Sequence, residues 1–170
     1  MVLTPRKIVD GHYEMWIPGE GTLNPGTGFL RPVSSTTLTN PATAIRAITV
    51  GAYDSLTFSY ADFSGRGPLT GESASAVKPD LVAPGVNVST ISVGGSMMQF
   101  SGTSFSTPFV TGSAALLMEW GIVRGNDSYL YGEKVKAYLR RGAKPMPGFE
   151  EYPNEAVGYG RLCLAESIPD

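Results

Sequence analysis

The strongest signal along the chain is an apolar run from Phe109 to Trp120, in which Phe109, Val110, Ala114, Leu117, Met118 and Trp120 recur at helical spacing but cover more than one face. A helix apolar nearly all round belongs inside a protein. It is expected to span about Ser104 to Glu119, since Pro108 is tolerated near a first turn and Gly121 supplies a left-handed stop. Gly112 and Ala115 would let a neighbouring backbone approach closely. A shorter amphipathic helix is predicted from about Gly132 to Arg141. Val135, Tyr138 and Leu139 form its buried stripe, Glu133, Lys134, Lys136 and Arg140 face water as a solvated surface, and Gly142 ends it.

Other stretches follow the period of a strand. Ala47 to Tyr53 is a nearly continuous apolar run bounded by turn residues, the pattern of a strand buried on both faces of a parallel sheet. Val86 to Ser92 and Met97 to Ser101 flank Val93-Gly94-Gly95-Ser96 and read as a hairpin turning on its glycine pair. In residues 1–39, Tyr13-Glu14-Met15-Trp16-Ile17 alternates, and Pro18-Gly19-Glu20-Gly21 and Asn24-Pro25-Gly26 are turn clusters. Further extended pieces near Phe29-Leu30 and from Thr36 to Thr39 would complete a small antiparallel array, too small to be stable alone. Asn40-Pro41 marks a boundary, dividing the chain into residues 1–39 and 40–170. Residues 58–79 and 143–154 read as loops, and Cys163 to Ser167 as a closing helical turn.

Composition narrows this picture. At 170 residues the chain is one domain by length and can bury a real core, while its 21 Gly and 13 Pro point to many turns and short elements. A net charge of −2 gives no sign of a nucleic-acid or anionic-membrane partner. No apolar stretch reaches membrane-spanning length, and the first residues lack the apolar core of a signal peptide. Cys163 is the single cysteine, so no internal disulfide forms and the redox compartment is open.

Candidate chemistry gathers where the hairpin hands the chain to the long helix, at Ser101-Gly102-Thr103-Ser104-Phe105-Ser106-Thr107-Pro108. This order places the Ser104 hydroxyl at a helix N-terminus, whose unpaired N–H groups and positive dipole end favour negative charge developing on a carbonyl oxygen. Gly102 permits a tight turn beside a substrate, and Thr103 can hydrogen-bond locally or toward that oxygen. The plainer reading makes Ser104 an N-cap serine.

The string SGTSFSTPFVTGSAALL resembles the nucleophile motif of subtilisin-like serine proteases, Gly-Thr-Ser-x-x-x-Pro-x-Val-x-Gly, with every fixed position met by Gly102, Thr103, Ser104, Pro108, Val110 and Gly112. Val50-Gly51-Ala52 resembles a core strand of that family. Phe63 to Pro68 resembles its Ser-x-x-Gly-Pro turn, Lys78 to Gly85 another short core strand, and Val157 to Leu162 its closing segment. The resemblance covers about residues 40–170 and implies an α/β fold: the C-terminal half of a doubly wound, mostly parallel sheet, with a small N-terminal antiparallel β segment. Residues 1–39 resemble the tail of a jelly-roll-like insert found in some bacterial subtilases, including clostridial spore-germination proteases.

For chemistry, the resemblance implies that Ser104 is the catalytic nucleophile of an endopeptidase, with Thr103 and Gly102 supporting the oxyanion and Ser101 and Phe105 beside the substrate. Ser101 stands where many relatives have Asn, and Phe105 where Met is common. The family's Asp and His motifs and its oxyanion Asn find no match, so the chain as it stands is expected to be inactive and to need the missing N-terminal half of the same domain, or to associate with itself. Asp10 and His12 could share a strand face and imitate an orienting pair, but neither sits in a family motif. Asp80 reads as a strand-entry aspartate satisfied by backbone N–H groups rather than as a catalytic carboxylate, and Cys163 as a buried apolar residue.

The implied partner is a protein or peptide substrate, and the implied location of the parent is a bacterial spore, the cell envelope or outside the cell. Structural calcium is common in the family, but no residues here have cation-loop spacing and no cofactor is called for. Two other readings stay open: a pseudoprotease sensor or scaffold with the same fold, and a carbohydrate- or protein-binding β-module built on residues 1–39.

Overall fold

The computed structural model describes residues 4, 6–11, 13, 15–18, 22–67 and 77–169. By internal packing it divides into Met1–Val33 and Ser34–Asp170.

In the first unit, Asn24 to Thr27 closes the expected turn, with the Thr27 N–H donating to the Asn24 carbonyl at 3.1 Å and Gly26 at φ 80°. Proline second and a left-handed glycine third are what a type II turn requires. The expected strands are not formed among the described residues: Tyr13, Met15 to Ile17, Phe29 and Leu30 lie in no strand, and Tyr13 and Trp16 stand well exposed. Alternation alone does not make a strand, because each backbone N–H and C=O still needs a partner. Thr36 and Thr37, in the second unit, instead donate their N–H groups to the Gly67 and Arg66 carbonyls.

The second unit is built on two parallel strands, β1 (Val50–Tyr53) and β2 (Leu81–Pro84), in register from Val50 opposite Leu81 to Tyr53 opposite Pro84. On the other side of β2 the closing segment completes the ladder: Val82 N–H donates to the Gly160 carbonyl at 2.9 Å, and Leu162 N–H to the Val82 carbonyl at 2.8 Å. Central position explains the unbroken apolar sequence of β2. Leu81 and Ala83 point into one core with Val110, Leu117, Leu130, Val135 and Leu139, and Val82 points into the other with Tyr53, Met146, Ala156 and Val157.

Strands β3 (Val88–Ile91) and β4 (Met97–Phe100) form the expected antiparallel hairpin, turning through Gly94 and Gly95 at φ 100° and 86°. The long helix α1 (Thr103–Met118) follows, then a π-helical turn over Glu119–Val123. Gly121 is therefore not a left-handed stop. It lies buried inside the wide turn, where a Cβ would come within 2.7 Å of the Leu130 side chain, and the left-handed glycine is Gly125 at φ 76°. Close packing, not chain reversal, is what a glycine supplies there.

Helix α1 is also less enclosed than its sequence suggests. Ser106, Val110, Ser113 and Leu117 are buried, whereas Phe109, Leu116 and Met118 remain exposed and a Cβ on Gly112 would meet open space. Helix α2 (Gly132–Arg141) has the predicted bounds, and α3 (Leu164–Ser167) packs so closely on Gly142 that a Cβ there would collide with Ser167. Among the described residues no helix is long and apolar enough to cross a membrane.

Candidate active site

The site begins with how α1 is held at its N-terminus. Gly102 N–H donates to the Gly85 carbonyl at 2.8 Å, and Gly85 lies where a Cβ would strike the Ser106 hydroxyl and the Ala52 methyl. That close approach lets Ser106, fully buried, donate to the Ala83 carbonyl of β2 at 3.1 Å. The first turn of the helix is thus pinned to the centre of the sheet. Gly102 itself sits at φ 154° and ψ 155°, a backbone region essentially confined to glycine.

Ser104 is exposed and lies inside the first turn, one residue beyond the start of α1. The N-cap is Gly102, so the simple capping role for Ser104 is ruled out. Gly102 offers no side chain to the first helical N–H groups, and the first turn has no acidic residue, so neither a side-chain cap nor a carboxylate of the first turn offsets the positive end of the dipole next to the Ser104 hydroxyl. Thr103 is half-buried, and its carbonyl accepts from the Thr107 hydroxyl at 3.0 Å. Phe105 stacks on Phe100, ring centres 5.4 Å apart at 14°, which fixes the direction in which β4 enters the helix. Ser101 Oγ accepts from the Asn87 N–H at 3.0 Å, tying the base of the hairpin. The structure therefore brings Ser101, Gly102, Thr103, Ser104 and Phe105 together around one exposed hydroxyl.

Other candidates fall elsewhere. His12 lies outside the described residues, and Asp10 belongs to the first unit. Cys163 is a free, half-buried thiol. No group of three or more His, Cys, Asp or Glu side chains suited to a metal occurs among the described residues.

Asp80 differs most from expectation. It is fully buried and accepts the Thr49 N–H at 2.6 Å, as a strand-entry aspartate should, but it also meets Lys78 at 2.8 Å, Lys136 at 3.1 Å and the Arg140 guanidinium, whose Nε is 2.9 Å away. Lys136 and Arg140 thus do not form a solvated face. Burial alone would push the Asp80 carboxyl up, but the hydrogen bonds from Lys78 and Thr49 and the charges of Lys78 and Arg140 outweigh it and hold it below the usual aspartate range. Burial pulls the Lys136 ammonium down from its ordinary value, against the opposing pull of Asp80. The signal available in the sequence was the placement of Lys136 and Arg140 one helical turn apart, flanking the stripe of Val135 and Leu139.

Comparison with known proteins agrees with this architecture. The model of the subtilase family of peptidases matches residues 26–160. The serine protease AprX of Bacillus subtilis is 30% identical over 155 residues, covering 79% of this chain and 32% of AprX. The mouse membrane-bound transcription factor site-1 protease is 34% identical over 131 residues, 75% of this chain and 12% of that protein. Among solved structures, the Clostridium perfringens CspB protease superposes with a TM-score of 0.80 at 46% identity, covering 86% of this chain and 30% of CspB. The chain thus spans about a third or less of the length of these relatives. With α1 docked on a parallel sheet, Gly102-Thr103-Ser104 at its start and the family model matched over most of its length, the chain belongs to the subtilase family of serine proteases.

Proposed function

We propose that this chain carries the nucleophile of a serine endopeptidase, with Ser104 attacking the scissile carbonyl and holding the acyl group until water releases it. One observation carries the reading: an exposed Ser104 hydroxyl in the first turn of a helix with no side-chain cap, inside the complete family motif. The helix end favours the negative charge that develops on the substrate oxygen. Gly102 and Thr103 would shape the space around that oxygen, and Ser101 and Phe105 would border the substrate.

Ser104 needs a base to take its proton, because a neutral hydroxyl is a weak nucleophile. The chain has one histidine, His12, outside any family motif. The base, its orienting aspartate and the oxyanion asparagine are therefore supplied by the remainder of the protease domain, and the 170 residues alone do not turn over peptides. Exposed Phe109, Leu116 and Met118, with the open space over Gly112, give that remainder, or a second copy of the chain, an apolar face to cover.

A fluorophosphonate probe on the protein with its whole protease domain should label Ser104, and Ser104→Ala should remove the label together with peptidase activity. Retained labelling in that variant, or an activity loss under about tenfold against the much larger loss expected of a nucleophile, would overturn the assignment. A pseudoprotease scaffold, with the Asp or His replaced in the remainder of the domain, is the second reading. It predicts an unlabelled Ser104 in every assembly.

A further inference from the structure

One flank of α1 carries a ladder of threonines. Thr103, Thr107 and Thr111 follow one another at helical spacing and share a face, on which Thr107 and Thr111 are exposed. The Thr107 hydroxyl donates to the Thr103 carbonyl at 3.0 Å, and the Thr111 hydroxyl donates to the Thr107 carbonyl at 3.1 Å. On an exposed helix face threonine is an unfavourable choice, because its branched side chain loses freedom against the preceding turn.

The two bonds differ in what stands on the far side of the peptide each one reaches. The Thr107 carbonyl belongs to the peptide joining Thr107 to Pro108, which has no N–H. The Thr103 carbonyl belongs to the peptide joining Thr103 to Ser104, whose N–H donates to nothing among the described residues. A donor on an amide oxygen draws electron density from the nitrogen and makes the N–H across the peptide a stronger donor, by about 10–30% per bond. Pro108 adds a mechanical reason for the bond. It cannot donate to the Ser104 carbonyl, so the ladder of the first turn is one bond short, and the Thr107 hydroxyl supplies a second tether across that turn.

We propose that Thr107 is a positioning residue for Ser104, its hydroxyl orienting and polarising the peptide that carries the Ser104 N–H. The inference rests on the reading of Ser104 as nucleophile. As the Ser104 oxygen bonds to the substrate carbonyl carbon, its proton passes to the base and the carbonyl π pair moves onto the oxygen, to which the Ser104 N–H then donates. Losing an oxyanion donor outright costs about 100- to 1,000-fold in turnover, so weakening one by 10–30% corresponds to about two- to eightfold.

The test uses the protein with its whole protease domain and compares Thr107→Val, Thr107→Ser and Thr111→Val with the unsubstituted protein. The readouts are kcat and KM on a fluorogenic peptide amide that the unsubstituted protein cleaves, the rate of fluorophosphonate labelling, and the melting temperature. Valine keeps the branched shape without the hydroxyl, and serine keeps the hydroxyl. Thr107→Val should lower kcat and the labelling rate by about two- to eightfold, with KM within about twofold and the pH of half-maximal activity unchanged. Thr107→Ser should restore both rates. Thr111→Val removes the same kind of bond from the same helix, but one that ends on a peptide without an N–H, and should leave both rates as they are. Equal rate losses in the two valine variants would show a general effect on the helix and overturn the proposal. So would unchanged rates in Thr107→Val, or a loss that serine does not restore. The nucleophile reading fails separately: if Ser104 takes no label, or Ser104→Ala keeps it, both inferences fall, whereas a labelled and required Ser104 with an unaffected Thr107→Val removes this one alone.

Discussion

Two polar regions of the second unit are handled in opposite ways. Around Asp80 the carboxylate and both lysines are buried, Arg140 is half-buried, and all are partnered by groups from α2 and the strand-entry segments. At the head of α1, Ser104 is left exposed beside helical N–H groups that no side chain caps. The first arrangement holds a fold together, because removing any member strands the others in a low-dielectric interior. The second leaves bonding capacity for something that arrives later, which is what a reacting group needs. The contrast recurs within one turn of helix: Ser106 is sealed and bonded to Ala83, while Ser104, two residues earlier, is open.

The largest effect that can test this contrast is on turnover. Ser104→Ala in the protein with its whole protease domain should reduce turnover by about a million-fold, as loss of the serine does in subtilisin, while leaving the melting temperature unchanged. A large stability change would show Ser104 to be structural. Next is Asp80→Ala, which leaves Lys78, Lys136 and Arg140 without their anion and should cost about 3–5 kcal/mol by denaturant unfolding.

Acid gives the same site a second readout. The Asp80 carboxyl is held below its ordinary 3.8, so its contribution to stability is complete above that value and is lost as pH falls through its folded value. Asp80→Asn should therefore flatten the acid limb of the stability profile and leave its shape near neutrality unchanged. Gly85→Ala should come after Asp80→Ala, costing about 1–3 kcal/mol as the new methyl pushes the Ser106 end of α1 away from Ala52, with activity falling alongside stability. Smallest is Ser106→Ala, at about 1 kcal/mol for the lost bond to Ala83, with Ser104 still reactive toward the probe.

The sequence revealed these two regions unequally. The hairpin, α1, α2 and the exposed serine were all readable, because each rests on a local pattern: a glycine pair between alternating strands, a helical period, or a motif at a strand-to-helix junction. The Asp80 cluster was not, since a lysine on an amphipathic helix ordinarily faces water and its burial depends on an aspartate far away in the chain. Gly121 was misread for a related reason: a glycine after a helix signals reversal, but here the Leu130 side chain claims the space its Cβ would fill. The strands expected before Thr39 had the right alternation, yet no strand forms there among the described residues.

The ladder on the outer side of β2 bears on biosynthesis. Val82 is paired on that side by Gly160 and Leu162, and Gly158 fits against Pro79 and Asp80 so closely that no side chain could stand there. A nascent chain emerging from the ribosome must therefore leave one edge of its central strand unsatisfied until these late residues are made. During that interval the apolar helix and the strand edge are both open to other molecules, so a chaperone has most to protect until the segment through Leu162 has emerged and docked.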